Sequence, residues 1–153
     1  MNLHRVGIFA DVSNLYFCCK ERFQKKINYE KLLSFCTNGD NCIISKAYGI
    51  HSTDSSSFKN ALKNIGWATE FKSPKSFGDG TKKADCDLIM VMDVVRSIDL
   101  IDKIILCTAD GDFAPLIDWA FEQGRSVLVV GCNISHELKD KTECIEITKE
   151  LLE

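Results

Sequence analysis

The stretch Ile104-Ile105-Leu106-Cys107-Thr108-Ala109-Asp110-Gly111-Asp112-Phe113 decides how the chain is read. Four apolar residues make a run of strand length, the run ends at two carboxylates, and Pro115-Leu116-Ile117-Asp118-Trp119-Ala120-Phe121 then reads as a helix. In open α/β sheets ligands bind beyond the carboxyl ends of the strands, where the N–H groups of the next helix start are also unpaired. Gly111 is expected to supply a sharp bend and Asp112 to cap the following helix. Pro115 falls in the first turn, where a missing N–H costs little.

Working outward, the same layout opens the chain. Val6-Gly7-Ile8-Phe9-Ala10 is an apolar run that stops at Asp11, and Ser13 is expected to cap a helix beginning at Asn14. A second helix is expected from Asn28 to about Cys36, a β-run from Cys42 to Ile50, and a helix through Asn64 capped within Thr53-Asp54-Ser55-Ser56-Ser57 and stopped by Gly66. Trp67 to Phe71 reads as a strand, and Ser73 to Thr81 as a loop or loose hairpin. From Ala84 to about Ile98 apolar residues recur at helical steps, with Asp85 and Asp87 at the amino end, where the macrodipole favours anions. Ser126 to Gly131 is a continuous apolar strand, a short helix is expected after Ser135 as far as Lys139, and the tail Cys144 to Leu152 fits a strand or a helix.

Strands alternating with crossover helices predict an α/β fold with three layers, α/β/α, around a mainly parallel central sheet. If the strands starting near Val6 and Ile104 are neighbours, Asp11, Asp110 and Asp112 converge at one sheet edge. Residues 1–153 are the length of one domain, enough to bury about 70% of the unfolded surface. The net charge of -3 excludes a uniformly basic nucleic-acid binder but leaves room for a basic rim around an acidic centre. Eight cysteines without a Cys-x-x-Cys pair or a His at zinc spacing argue against a structural zinc site. With no signal-peptide pattern and no apolar run of membrane-spanning length, the expected address is the cytoplasm, with no membrane partner.

Clustered acids have a definite chemistry. Like charges a few ångströms apart oppose each other's ionisation unless a cation sits among them, and hard divalent ions take oxygen ligands. Such an ion can polarise a phosphodiester and acidify a bound water, and two ions can clamp the attacking and leaving oxygens. Asn14 lies three residues after Asp11, one turn along the expected helix, and is a candidate to hold a phosphate oxygen or a metal-bound water. Asp93 lies about 9 Å beyond Asp87 along a helix at 1.5 Å per residue, too far to share one metal shell, and reads as supporting or structural.

Three blocks then resemble the signatures of NYN-domain proteins, in particular the bacterial LabA-like branch of the PIN-like nucleases. They are Phe9-Ala10-Asp11-Val12-Ser13-Asn14, then Lys82-Lys83-Ala84-Asp85-Cys86-Asp87 with Asp93, then Thr108-Ala109-Asp110-Gly111-Asp112-Phe113 with Pro115-Leu116. Ser135-His136-Glu137-Leu138 resembles the family's late Ser-x-x-Leu. The resemblance implies a PIN-like, Rossmannoid fold and an endoribonuclease using Mg²⁺ or Mn²⁺. It implies catalytic roles for Asp11, Asn14, Asp87, Asp110 and Asp112, with the four aspartates as metal ligands and Asp85, Asp93, Thr108 and Ser135 in supporting places. The chain departs from the commoner pattern with Ala109 for a frequent Gly and Glu143 for the usual Asp.

Two basic groups flank the acids. Lys20, Arg22, Lys25, Lys26 and Lys31 follow Asp11, while Lys72, Lys75, Lys82 and Lys83 surround the loop before Asp87. Lys25, Lys26, Lys82 and Lys83 are the candidate RNA contacts, for RNA in single-stranded form, and Tyr16, Phe17 and Phe77 are candidates to stack on bases. Trp67, Trp119 and Phe121 could form a homodimer face or serve as core. The rival reading is a catalytically silent RNA-binding or regulatory module on the same fold. A phosphatase-type site fits worse, because Ser13 stands where a second acid would follow Asp11; a receiver-type site would need an acid at Ala10, and a topoisomerase-primase-type site would want Glu in place of Asp11.

Overall fold

The structure, a computed structural model, describes residues 3–51, 55–73, 75–76, 82–83 and 86–153. Its elements in chain order are β1 (Arg5–Asp11), α1 (Val12–Phe23), α2 (Tyr29–Thr37), β2 (Asn41–Ile50), α3 (Ser55–Ile65) and β3 (Ala68–Lys72). There follow β4 (Lys75–Ser76), β5 (Lys82–Lys83), α4 (Asp87–Ser97), β6 (Lys103–Cys107), α5 (Ala114–Glu122), β7 (Ser126–Gly131), α6 (His136–Lys139) and β8 (Glu143–Glu146). One sheet holds six strands in the order β3-β2-β1-β6-β7-β8, and every pairing in it is parallel. The two-residue strands β4 and β5 pair antiparallel with each other, while residues 74 and 77–81 of the loop or loose hairpin expected over Ser73 to Thr81 lie outside the described residues.

Alternation within the central strands builds both cores. Val6, Ile8 and Ala10 of β1, with Ile105 and Cys107 of β6 and Leu128 and Val130 of β7, pack with Leu15, Leu32, Leu62 and Trp67. Their alternate neighbours Phe9, Ile104, Leu106, Val127 and Val129 pack on the other face with Met90, Val94, Phe113, Ile117 and Leu138. Helices α1 to α3 thus cover one face and α4 to α6 the other, a three-layer α/β/α fold. Phe9 is fully buried, and its truncation to Ala would cost about 3–5 kcal/mol.

Several local details differ from expectation. Asp11, not Ser13, caps α1, accepting the Asn14 N–H at 3.2 Å. A 3-10 turn, Gly111–Phe113, precedes α5; Asp110 caps that turn, and Asp112 caps nothing. The tail is both things in succession, β8 and then a 3-10 turn over Lys149–Leu151. Asn28 caps α2 and Ser135 caps α6, and Gly66 and Gly124 end α3 and α5 at positive φ. Trp67 is core, with its indole N–H donated to the Tyr29 carbonyl, so it is no part of a dimer face. Phe121 is 42% exposed. All eight cysteines are free thiols. Among the described residues no helix is long and apolar enough to cross a membrane.

Candidate functional site

Strand order places the site. β1 and β6 are adjacent, and the connections that follow them lead to opposite faces, so the loops beyond their C-terminal ends part and leave a crevice. Asp11 ends β1, and the loop after β6 carries Thr108 to Asp112. The second face delivers Asp87 as the first residue of α4. Cys86 just before it is buried and donates its thiol to the Gly49 carbonyl of β2 at 3.0 Å, which ties the start of α4 to the same sheet edge.

Asp87, Asp110 and Asp112 meet there: one carboxylate oxygen from each lies within 4.8 Å of the others. Asp87 and Asp110 are half-buried and Asp112 is exposed, so the cluster opens to solvent. An all-oxygen set of three carboxylates fits a hard divalent cation such as Mg²⁺ or Mn²⁺.

Asp11 stands outside that trio and is held in place on both oxygens. Oδ1 accepts the Asn14 N–H, and Oδ2 accepts the Thr108 hydroxyl at 3.3 Å. Thr108, fully buried, also accepts the Asp110 N–H at 3.3 Å. Asn14 uses its side-chain carbonyl on the Ala109 N–H at 2.8 Å and receives the Cys18 thiol, leaving its NH₂ as the donor that it can offer a ligand. The β6 loop is therefore laced to the first turn of α1.

Ser135 braces the loop from the other side. Its N–H donates to the Ala109 carbonyl at 3.1 Å, and its hydroxyl caps α6 through the Leu138 N–H. Gly111 opens the 3-10 turn without a positive φ, and what demands a glycine there is close approach. A Cβ at Gly111 would lie 2.9 Å from the Ser135 hydroxyl and 3.1 Å from the Glu137 carboxyl carbon. A Cβ at Gly131 would drive into the Thr108 backbone, with the carbonyl carbon at 2.9 Å. Sequence reasoning missed Gly131 and Glu137 as neighbours of the loop.

Other candidates lie apart from the trio. Asp93 accepts Lys46 Nζ at 2.8 Å and the Tyr48 hydroxyl at 2.6 Å, so it anchors α4 to β2. Burial pushes its carboxyl upward, but the hydrogen bonds and charge of Lys46 and the Tyr48 hydroxyl outweigh this and hold it below the usual value. Burial raises the Tyr48 phenol, as does the bond to Asp93. Lys25 and Lys26 are exposed between α1 and α2. Lys82 and Lys83 form β5, but their side chains, like Asp85 and Phe77 as a whole, lie outside the described residues.

Known proteins share this fold. A crystal structure of a protein of unknown function from Vibrio parahaemolyticus superposes with a TM-score of 0.92 at 26% identity, covering 99% of this chain and 97% of that one. The low amplitude and bright protein LabA of Synechococcus elongatus is 24% identical over 151 residues, 91% of this chain and 81% of LabA. The NYN domain family model matches residues 5–148, and the chain belongs to that PIN-like nuclease family.

Proposed function

We propose that this protein is a Mg²⁺- or Mn²⁺-dependent endoribonuclease that hydrolyses phosphodiester bonds of single-stranded RNA. The observation that carries the reading is the convergence of Asp87, Asp110 and Asp112 within 4.8 Å at the crevice between β1 and β6, in an NYN domain. These three carboxylates would hold the cation. A bound ion of this kind neutralises charge on the scissile phosphate and lowers the pKa of a water.

The chain's own groups do the positioning. Asp11 adds a fourth negative charge and holds Thr108 and the start of α1 at fixed separation. Asn14 sets the register of the β6 loop through Ala109 and offers its NH₂ to a phosphate oxygen. Asp110 is kept on target by the N–H of Asp112 and by the contact of its own N–H with Thr108. Exposed Lys25 and Lys26 supply positive charge for the flanking phosphates, as do Lys82 and Lys83 of β5. Asp85, Asp93 and Ser135 complete the support.

The test is single-turnover cleavage of a mixed single-stranded RNA pool with Mn²⁺, comparing wild type with Asp110→Asn. Asn keeps the acceptor that caps Asp112, so the fold is preserved while the ligand charge goes. The expected loss of rate is about 100-fold or more. Equal rates in the two proteins would remove the nuclease assignment.

A further inference from the structure

A second hollow lies on the opposite side of α1 from the acids. Its volume is about 570 Å³, a size suited to a small ligand. Val12, Ser13, Tyr16 and Phe17 of α1 line one wall, while Tyr29, Phe58 and Phe71 line the other. Ile50 and Phe71 sit at the C-terminal ends of β2 and β3, so the hollow opens at the same sheet edge as the acidic crevice. At helical spacing Val12, Ser13, Tyr16 and Phe17 share one face of α1, whereas Asn14 and Cys18, which reach toward the Ala109 loop, share the other. One helix, about 10 Å across, separates the two sites.

The far wall is preorganised. Tyr29 meets Phe58 edge to face at 5.6 Å, and Phe58 meets Phe71 at 6.0 Å. The near wall is uncovered: Phe17 is 68% exposed and Tyr16 is 45% exposed, packed edge to face on each other at 5.7 Å. Two adjacent aromatic rings left in water beside an aromatic slot forgo burial that a flat apolar guest would restore. Lys26 and Glu153 both line the rim, and exposed Lys20 and Lys25 nearby in the chain tip its balance toward positive charge. Flat aromatic groups strung on a polyanion match both features.

We propose that this hollow is a base-stacking subsite that takes an unpaired nucleobase of single-stranded RNA, one or two nucleotides from the phosphate held at the acidic crevice. The inference rests on the nuclease reading for the direction of the strand, but not for the subsite itself. Phe17 and Tyr16 close over the base from α1, Phe58 and Phe71 form the fixed wall, and Lys26 meets the adjoining phosphate. The subsite makes the enzyme selective for strands with flexible, unstacked bases and indifferent to duplexes.

The test measures binding of the Asp110→Asn protein, so that cleavage does not intervene, to a single-stranded oligoribonucleotide and to an abasic strand of equal length and charge. The base-bearing strand is expected to bind about tenfold more tightly. Adding Phe17→Ala, an exposed position that does not threaten the fold, is expected to abolish that preference while leaving the abasic affinity unchanged, and Phe17→Trp is expected to keep it. An unchanged preference in Phe17→Ala would overturn the subsite, as would absence of any preference in the parent. Self-association or capture of an apolar peptide that Phe17→Ala abolishes, with RNA preference intact, would also overturn it. If wild type fails to cleave but the base preference follows Phe17, the nuclease reading falls and the subsite stands.

Discussion

The side-chain carbonyl of Asn14 accepts the backbone N–H of Ala109 at 2.8 Å, joining the first turn of α1 to the loop that presents Asp110 and Asp112. Residues 95 positions apart are thereby locked at the point where β1 and β6 end.

Replacing Asn14 with Ala leaves the Ala109 N–H without its acceptor. The expected loss of stability is about 1–3 kcal/mol, read by urea denaturation. Faster hydrogen exchange at the Ala109 amide should accompany it. Exchange as slow as in wild type would mean that the bond does not hold the loop.

The two glycines that touch the loop should respond differently to Ala. At Gly131 the added Cβ meets the Thr108 backbone, which cannot move without unpairing β6 from β7, so loss of folding or about 3 kcal/mol or more is expected. At Gly111 it meets the ends of the Ser135 and Glu137 side chains, which can turn aside, and about 1–2 kcal/mol is expected. Thermal melting of both variants checks the order.

Charge and capping at Asp110 can be separated. Asp110→Asn should weaken Mn²⁺ binding and keep stability, whereas Asp110→Ala should weaken it equally and cost about 1 kcal/mol more through the lost cap on the Asp112 N–H. Asp112→Asn should affect the ion alone. Mn²⁺ titration by calorimetry beside apo-protein melts would show the split, and a common effect of both Asp110 variants on stability would refute it.

Asp93 predicts a pH window. Its folded value lies below its unfolded one, near 3.9, so the ionised group contributes stability above that pH. The contribution is lost as pH falls through the depressed folded value. Asp93→Asn should lower stability at pH 7 by about 1–2 kcal/mol and flatten its decline below about pH 4. Denaturation midpoints at pH 3, 4 and 7, conditions chosen about the unfolded value, test this. A parallel offset at all three would exclude the linkage.

The centre of the sheet was legible because β1, β6 and β7 are buried on both faces and read as unbroken apolar runs, as Ser126 to Gly131 does. The adjacency of β1 and β6 brings Asp11 and the β6 loop to one sheet edge as expected, but the carboxylates that meet there are Asp87, Asp110 and Asp112, with Asp11 outside them. What escaped the sequence was partnership across distance. Ser13 and Asp11 are equally good caps on paper, and only the Thr108 hydroxyl and the Asn14 N–H show how Asp11 is held. Asp93 beside Lys46 and Tyr48 spans 47 and 45 residues, which no periodicity records. Gly111 looked like a bend because glycine permits one, whereas the reason for its size is the nearby α6.

Asp11 is at once a helix cap and the acceptor for a buried hydroxyl, whereas Asp112 is exposed and caps nothing. Evolutionary decay of this site would therefore be uneven. A descendant that lost the proposed nuclease chemistry and persisted as a scaffold would drop Asp112 early and keep Asp11 long afterwards, so survival of the first aspartate alone is a poor sign of a working enzyme.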